Sequence, residues 1–263
     1  MPIDTDPSVA PDYVADLFDL SGRTAVVTGG GSGLGDAISR GLAQAGARVI
    51  VADVNLDGAE HVAAGIRDIG GSAEAVDADV TVRGTLEAVS ATLDRVDILV
   101  NSAGTSARFP AEDFPEDVYD RIIGLNLKGS FLSCQVFGRR MLDQGAGSII
   151  NIASIGSSVA YPQTTAYLQS KGGVAQMTRS LALEWISRGV RVNAIAPSLF
   201  DTPLVRASDD VVSLTSEFIM ARTPIGRRGL PTEVVGPAIF LASSASSMVT
   251  GHLLQVDGGY LIN

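Results

Sequence analysis

Thr24-Ala25-Val26-Val27-Thr28-Gly29-Gly30-Gly31-Ser32-Gly33-Leu34-Gly35 passes from a short β-branched run directly into a glycine cluster, and a helical pattern opens at Gly33. The apolar run reads as a buried strand, and residues without a Cβ let the chain turn sharply at its end. The same alternation continues outward from it. Strands are predicted at Thr24–Thr28, Arg48–Ala52, Ala73–Asp77, Ile98–Asn101, Ser148–Ile152, Val190–Ile195 and Leu253–Val256, and helices at Gly33–Ala45, Leu56–Ile69, Val82–Leu93, Pro115–Leu142, Tyr167–Ser187 and Thr232–Ala242. Strands that alternate with helices predict a parallel sheet with right-handed crossovers and helices on both faces. Most of these strands are continuous apolar runs, as strands buried on both faces should be.

Helix N-termini expose free N–H groups, so a strand–glycine–helix turn is suited to a pyrophosphate. The turn residues expected to do this are Gly29, Ser32, Gly33, Leu34 and Gly35. About twenty residues on, Asp53 falls at the end of the second strand, where a carboxylate can accept hydrogen bonds from both hydroxyls of a ribose. It would repel a 2′-phosphate, and its neighbours Ala52 and Val54 supply no cation. NAD (NAD+/NADH) is therefore expected in preference to NADP. The fold class that follows is α/β, a Rossmann-type doubly wound parallel sheet of about seven strands with helices on both faces.

The 263 residues, 46% hydrophobic and 18% charged, give ample core for one α/β domain and argue against global disorder. Residues 1–18 read as an N-terminal arm and 19–263 as one domain. Within it, Ser198 to Gly229 is long for a connector and reads as a substrate lid. A net charge of −10 argues against nucleic acid and anionic membrane surfaces as partners. Cys134 is the only cysteine, which precludes an intramolecular disulfide and fits a reducing compartment. The N-terminus has no basic region followed by an apolar run, and no apolar stretch is long enough to span a bilayer. A cytoplasmic protein is expected. No metal site is expected either: His61 and His252 lie far apart, and Cys134 has no partner at ligand spacing.

Tyr167-Leu168-Gln169-Ser170-Lys171 lies in a stretch that reads as helix, so the phenol and the ammonium share a face. An adjacent fixed cation favours the phenolate and is expected to draw the phenol toward the working pH range.

With these pieces assembled, the chain resembles the short-chain dehydrogenase/reductase family from about Leu20 to Gly259. Thr28, Gly29, Gly33 and Gly35 match its glycine motif, and Asp79 followed by Val80 matches its acid at the adenine pocket. Asn101-Ser102-Ala103-Gly104 matches its Asn-Asn-Ala-Gly, with Ser102 in place of the second Asn. Asn126, Ser154, Tyr167 and Lys171 match its catalytic tetrad in order and approximate spacing. Asn193-Ala194-Ile195-Ala196-Pro197 matches the strand that leads to the nicotinamide, with Ser198 where the family has glycine, and Thr202 falls where the family has a hydroxyl for the carboxamide. The resemblance implies that Asp79, Val80, Asn101, Ala103, Gly104, Tyr167, Lys171, Pro197 and Thr202 join the glycine turn and Asp53 in holding the cofactor. It also implies Tyr167 as general acid or base, Lys171 as the residue that lowers its pKa and holds the ribose, and Ser154 as a hydrogen-bond donor to the substrate oxygen. Ser157 and Ser158 follow Ser154 closely and offer the same hydroxyl. Asn126 is a poor helix-interior residue, suited either to holding a water that links Lys171 to solvent or to a buried amide satisfied by a neighbour. The C-terminal Val256-Asp257-Gly258-Gly259 resembles a segment that packs at subunit interfaces, which implies a homotetramer, or failing that a homodimer.

The expected pocket follows Gly104, Ser154 and Ser198. Arg108, Ser154, Tyr161, Gln163 and Tyr167 are the substrate candidates, and their polarity favours a small hydroxylated molecule: a polyol, sugar or sugar acid. Arg108 could clamp a carboxylate, or it could be solvated or paired with Glu112 or Asp113. Two other readings stand beside a dehydrogenase of such substrates. One is a 3-oxoacyl thioester reductase of the same family, which would want NADPH; the other is an NAD-binding protein without catalysis.

Overall fold

The computed structural model describes residues 12–209 and 214–263. Seven strands form one all-parallel sheet: β1 (Thr24–Thr28), β2 (Arg48–Asp53), β3 (Ser72–Asp77), β4 (Ile98–Asn101), β5 (Gly147–Ile152), β6 (Val190–Pro197) and β7 (Leu253–Val256). Their order across the sheet is β3-β2-β1-β4-β5-β6-β7, in agreement with the expected doubly wound class. Consecutive residues of the central strands feed opposite faces. Ala25, Val27, Val49 and Val51 join one core cluster with Ile38, Leu42, Val62, Ile66 and Leu241; Val26, Ile50 and Leu99 join the other with Leu86, Phe137, Met141 and Leu181. The first cluster is covered by α2 (Gly33–Gln44), α3 (Leu56–Asp68) and α10 (Val235–Ala242), the second by α4 (Arg83–Ala91), α6 (Ser130–Gln144) and α7 (Thr165–Trp185).

Sequence order reverses between β1 and β4, so the loops at their C-terminal ends part and leave a crevice. Across that boundary Thr28 stands level with Asn101, and Asn101 with Asn151. The Asn101 amide donates to Asn151 Oδ1 (2.8 Å), and Asn151 Nδ2 donates to Thr178 Oγ1 (2.9 Å), fixing the sheet to α7 directly below the crevice.

One expectation is corrected, and two other segments gain detail. Pro115–Leu142 is not one helix: α5 (Glu116–Ile123) and α6 are joined by a π-helical turn, Gly124–Gly129, that carries Asn126. The bulge forms where Asn126 directs its amide away from its own helix. The arm ends in a helix of its own, α1 (Tyr13–Phe18). The Ser198–Gly229 segment contains two short helices, α8 (Pro203–Asp209) and α9 (Leu214–Met220). The first eleven residues of the arm lie outside the described residues.

Candidate active site

The glycine turn is shaped by close backbone contact. Gly29 has φ +67°, and a Cβ there would lie 2.5 Å from the Ala103 nitrogen; one on Gly35 would lie 2.0 Å from the Gly29 carbonyl oxygen. Gly35 therefore packs α2 onto the end of β1 and does not face the crevice. A Cβ on Gly33 (φ +57°) would project to within 3.6 Å of the Thr202 side chain. Gly31 N–H donates to Asp53 Oδ2 (3.0 Å) and Asn55 N–H to Oδ1 (2.9 Å), which fixes the carboxylate at the end of β2.

These residues border a cavity of about 300 Å³. Its wall runs from Gly29, Ser32, Gly33, Leu34 and Asp53, past Asp79, Val80, Ala103 and Gly104, to Tyr167, Lys171, Pro197 and Thr202. Thirteen residues predicted to hold a cofactor are thus brought to one surface. Asp79 is held by Thr81, whose N–H and hydroxyl both donate to Oδ1 (2.8 and 2.7 Å). Asn101 is not on that wall: its buried amide braces β4 against β5 and donates to Cys134 Sγ (3.2 Å). Ser198 takes the glycine position without strain, since Gln163 is the only non-glycine at positive φ among the described residues.

At the far end of the cavity the chemistry concentrates. Lys171 is 6% exposed, and Nζ donates to the Ile152 carbonyl (2.7 Å) at the end of β5. Burial lowers its pKa to about 8. Nζ lies 5.8 Å from the centre of the Tyr167 ring. Burial raises the Tyr167 phenol above its ordinary value, opposed by the nearby Ser154 hydroxyl. The expected lowering is therefore corrected: desolvation is the largest influence on the phenol, and Ser154 is the one that opposes it. Ser157 donates instead to the Lys171 carbonyl (2.7 Å), so the two serines have different tasks.

Asn126 is fully buried and its amide is saturated. Oδ1 accepts from Thr105 N–H (2.8 Å), while Nδ2 donates to the Thr105 carbonyl (2.9 Å) and to Ser170 Oγ (3.0 Å). Of the two readings of this residue, the structure shows the buried amide satisfied by neighbours, here fastening the loop after Gly104 to α7.

The remaining substrate candidates sit beyond this wall. Tyr161 packs beside Ile155, Leu199, Ile219 and Tyr260. Arg108 reaches Ser216 Oγ on α9 (3.4 Å) and lies near enough to Tyr161 to favour its ionised form. Gln163 is left-handed, φ +63°, and its carbonyl accepts from Phe109 N–H (3.0 Å), so its backbone ties the Arg108 loop to the turn before α7. Sequence reading did not single out Val54, Leu125, Ile152 or Val205, all on the cavity wall. The Ile152 carbonyl that receives the lysine had no signal in residue type, because any residue carries a carbonyl.

A family model described as Enoyl-(Acyl carrier protein) reductase, one of the short-chain dehydrogenase/reductase models, matches residues 29–261. D-threitol dehydrogenase of Mycolicibacterium smegmatis is 41% identical over 249 residues, covering 93% of this chain and 95% of its own. NAD-dependent glycerol dehydrogenase of Listeria innocua is 39% identical, covering 93% and 96%. A crystal structure of gluconate 5-dehydrogenase from Burkholderia cenocepacia in complex with NADP and tartrate is similar at TM-score 0.89 and 39% identity, over 95% of this chain and 99% of that one. Among the described residues no helix is long and apolar enough to cross a membrane, and no group of three or more His, Cys, Asp or Glu could hold a metal ion.

Proposed function

The chain belongs to the short-chain dehydrogenase/reductase family, and from that premise we propose that it interconverts a secondary alcohol and a ketone on a small polyol, sugar or sugar acid, using NAD. One observation carries this reading. Tyr167 and Lys171 line the same cavity as the glycine turn and Asp53, and Ser154 is near enough to the phenol to favour its ionised form.

The residues fit a dinucleotide. A Cβ at Gly33 or Gly104 would project toward the groups across the cavity, Thr202 in one case and Asn126 and Lys171 in the other, and the Asp53 carboxylate is held at the cavity edge by two backbone N–H groups. Gly29, Ser32, Gly33 and Leu34 would hold its pyrophosphate, Asp53 and Lys171 its riboses, and Asp79 and Val80 its adenine. When bound, such a cofactor accepts or supplies the hydride.

The chain's own residues manage the proton. The Tyr167 oxygen exchanges it with the substrate oxygen, and Ser154 donates a hydrogen bond to the same oxygen as negative charge develops there. Asn126 keeps the Thr105 loop, and with it Gly104, pressed against Lys171.

The preference for NAD is supported by Asp53 and by the absence of a cation beside it, since Val54 and Asn55 follow. Support for the substrate class comes from the threitol, glycerol and gluconate relatives and from Arg108, which is suited to a carboxylate. A homotetramer, or failing that a homodimer, in the cytoplasm completes the proposal. The apolar side chains of Leu183, Met248 and Ile262, 82%, 94% and 91% exposed, support association, which light scattering would test.

The decisive experiment follows reduced-nicotinamide absorbance across polyols, sugars, sugar acids and 3-oxoacyl thioesters, with wild type and Tyr167→Phe. Turnover of a hydroxylated substrate that falls about a thousandfold in the variant, with dinucleotide affinity retained, is the expected result. Appreciable residual turnover would overturn the role of Tyr167, and activity confined to thioesters would overturn the substrate class.

A further inference from the structure

Gly31 occupies none of the fixed positions of the glycine motif, and it does not border the cavity that Asp53 borders. It nevertheless has no room for a side chain. A Cβ there would lie 2.9 Å from the Ala59 nitrogen, 3.0 Å from Asp53 Oδ2 and 3.1 Å from the Gly58 carbonyl carbon. The contact is matched from the other side: a Cβ on Gly58 would lie 3.1 Å from the Gly31 carbonyl oxygen and 3.0 Å from Asn55 Nδ2. The glycine turn and the first turn of α3 therefore meet backbone to backbone through these two residues. That close approach brings the Gly31 N–H to Asp53 Oδ2 (3.0 Å), while Asn55 N–H holds Oδ1 (2.9 Å) and the Asn55 side chain accepts from Gly58 N–H (3.2 Å) to cap α3.

We infer that Gly31 is a positioning residue for cofactor choice: its amide and that of Asn55, one on each carboxylate oxygen, lock Asp53 in the orientation that meets a ribose diol and keep it from turning aside for a 2′-phosphate. A carboxylate tied at one oxygen can swing about its Cβ–Cγ bond; tied at both, it cannot. Each oxygen has two lone pairs, so one on each stays free for a ribose hydroxyl after the backbone bonds are made. Asp53 supplies the charge, and the Gly31–Gly58 contact supplies its direction. The inference rests on the proposed use of NAD and deepens it, because it adds to the residues that choose the dinucleotide one that lies off the cavity wall.

Calorimetric titration of cofactor-free protein with NAD and with NADP tests this. In Gly31→Ala the added methyl presses on Oδ2 and on α3, so the Kd for NAD is expected to rise about tenfold, the scale of one charge-assisted contact put out of line. The Kd for NADP should change by no more than about twofold, because the carboxylate that opposes it is displaced as well. Steady-state turnover should show the same rise in KM for NAD, with kcat and substrate KM retained. The effect should require the carboxylate: in an Asp53→Ser background, Gly31→Ala should alter NAD affinity by less than about twofold. Gly58→Ala presses on the same contact from α3 while favouring the helix by propensity, and it takes the place of Gly31→Ala if that variant does not fold. Unchanged NAD affinity in the folded variant would overturn the inference. So would an equal loss of NAD and NADP affinity, or a loss that persists without the Asp53 carboxylate, either of which would make Gly31 a plain support of the turn. The wild-type preference separates the two proposals: if NAD is preferred and the Gly31 and Asp53 substitutions act independently, only the present inference falls, whereas a preference for NADP ends the cofactor reading and this inference with it.

Discussion

The two ends of the crevice are built by opposite means. At the cofactor end the shape is set by backbone: glycines that no side chain could replace at Gly29 and Gly35, and N–H groups that fix Asp53. At the substrate end it is set by side chains from segments distant in sequence, with Arg108, Tyr161, Ser216 and Tyr260 brought together by packing. The first kind of surface tolerates little change and recurs as a motif. The second can be altered residue by residue, which is where relatives acting on threitol, glycerol and gluconate can differ.

The largest effect should come from Lys171, where the two ends meet. Its folded-state pKa is depressed to about 8 by burial. Between that value and the ordinary lysine pKa the unfolded chain binds more protons than the folded one, so stability rises with pH across this window. Below it the cost of the buried charge is fully present. The gain is on the order of 3 kcal/mol between about pH 8 and pH 10.5. Denaturant unfolding of cofactor-free protein should show this slope, and Lys171→Met should lack it. An identical slope in both would mean that the ammonium is better solvated than its contacts indicate.

Next is a test of whether the cofactor end acts alone. Asp53→Ser removes the charge that opposes a 2′-phosphate and should shift the NADP/NAD ratio of kcat/KM by about a hundredfold toward NADP, a change of roughly 2.7 kcal/mol. Substrate KM should stay where it is. A wild-type enzyme that already prefers NADP would end the role given to Asp53, and the relative crystallised with NADP makes this a real contest.

The smallest effect belongs to the substrate end. Arg108→Ala should lower kcat/KM for a sugar acid about tenfold, the scale of one charge-assisted contact, and leave the matching polyol within a factor of about two. Equal losses on both would show that Arg108 serves to hold α9 through Ser216 and does not read a carboxylate.

How much was legible follows the same division. Thr24–Thr28 and Ile98–Asn101 could be read to the residue, because strands buried on both faces are continuous apolar runs between sharp turns. The break in the helix at Gly124–Gly129 could not, since its cause is the pull of Asn126 on Thr105, a partner 21 residues away. Nor could α8 and α9, short helices in a segment of mixed polarity whose apolar side chains pack against residues distant in sequence, among them Ile155, Tyr161 and Tyr260.

Residue type and local spacing therefore determined the sheet, the sharp glycine turn after its first strand, and the placing of Tyr167 and Lys171 on one helix face, while Ser154 was marked by the family resemblance. Each depends on backbone conformation or helical period, which act over a few residues. Tertiary structure alone decided that the Lys171 ammonium donates to the Ile152 carbonyl, that burial raises the Tyr167 phenol with Ser154 opposing it, and that Tyr161 packs with Ile155, Leu199 and Ile219. Desolvation and hydrogen-bond partnership are properties of everything packed around a group, and they do not exist until the chain has folded.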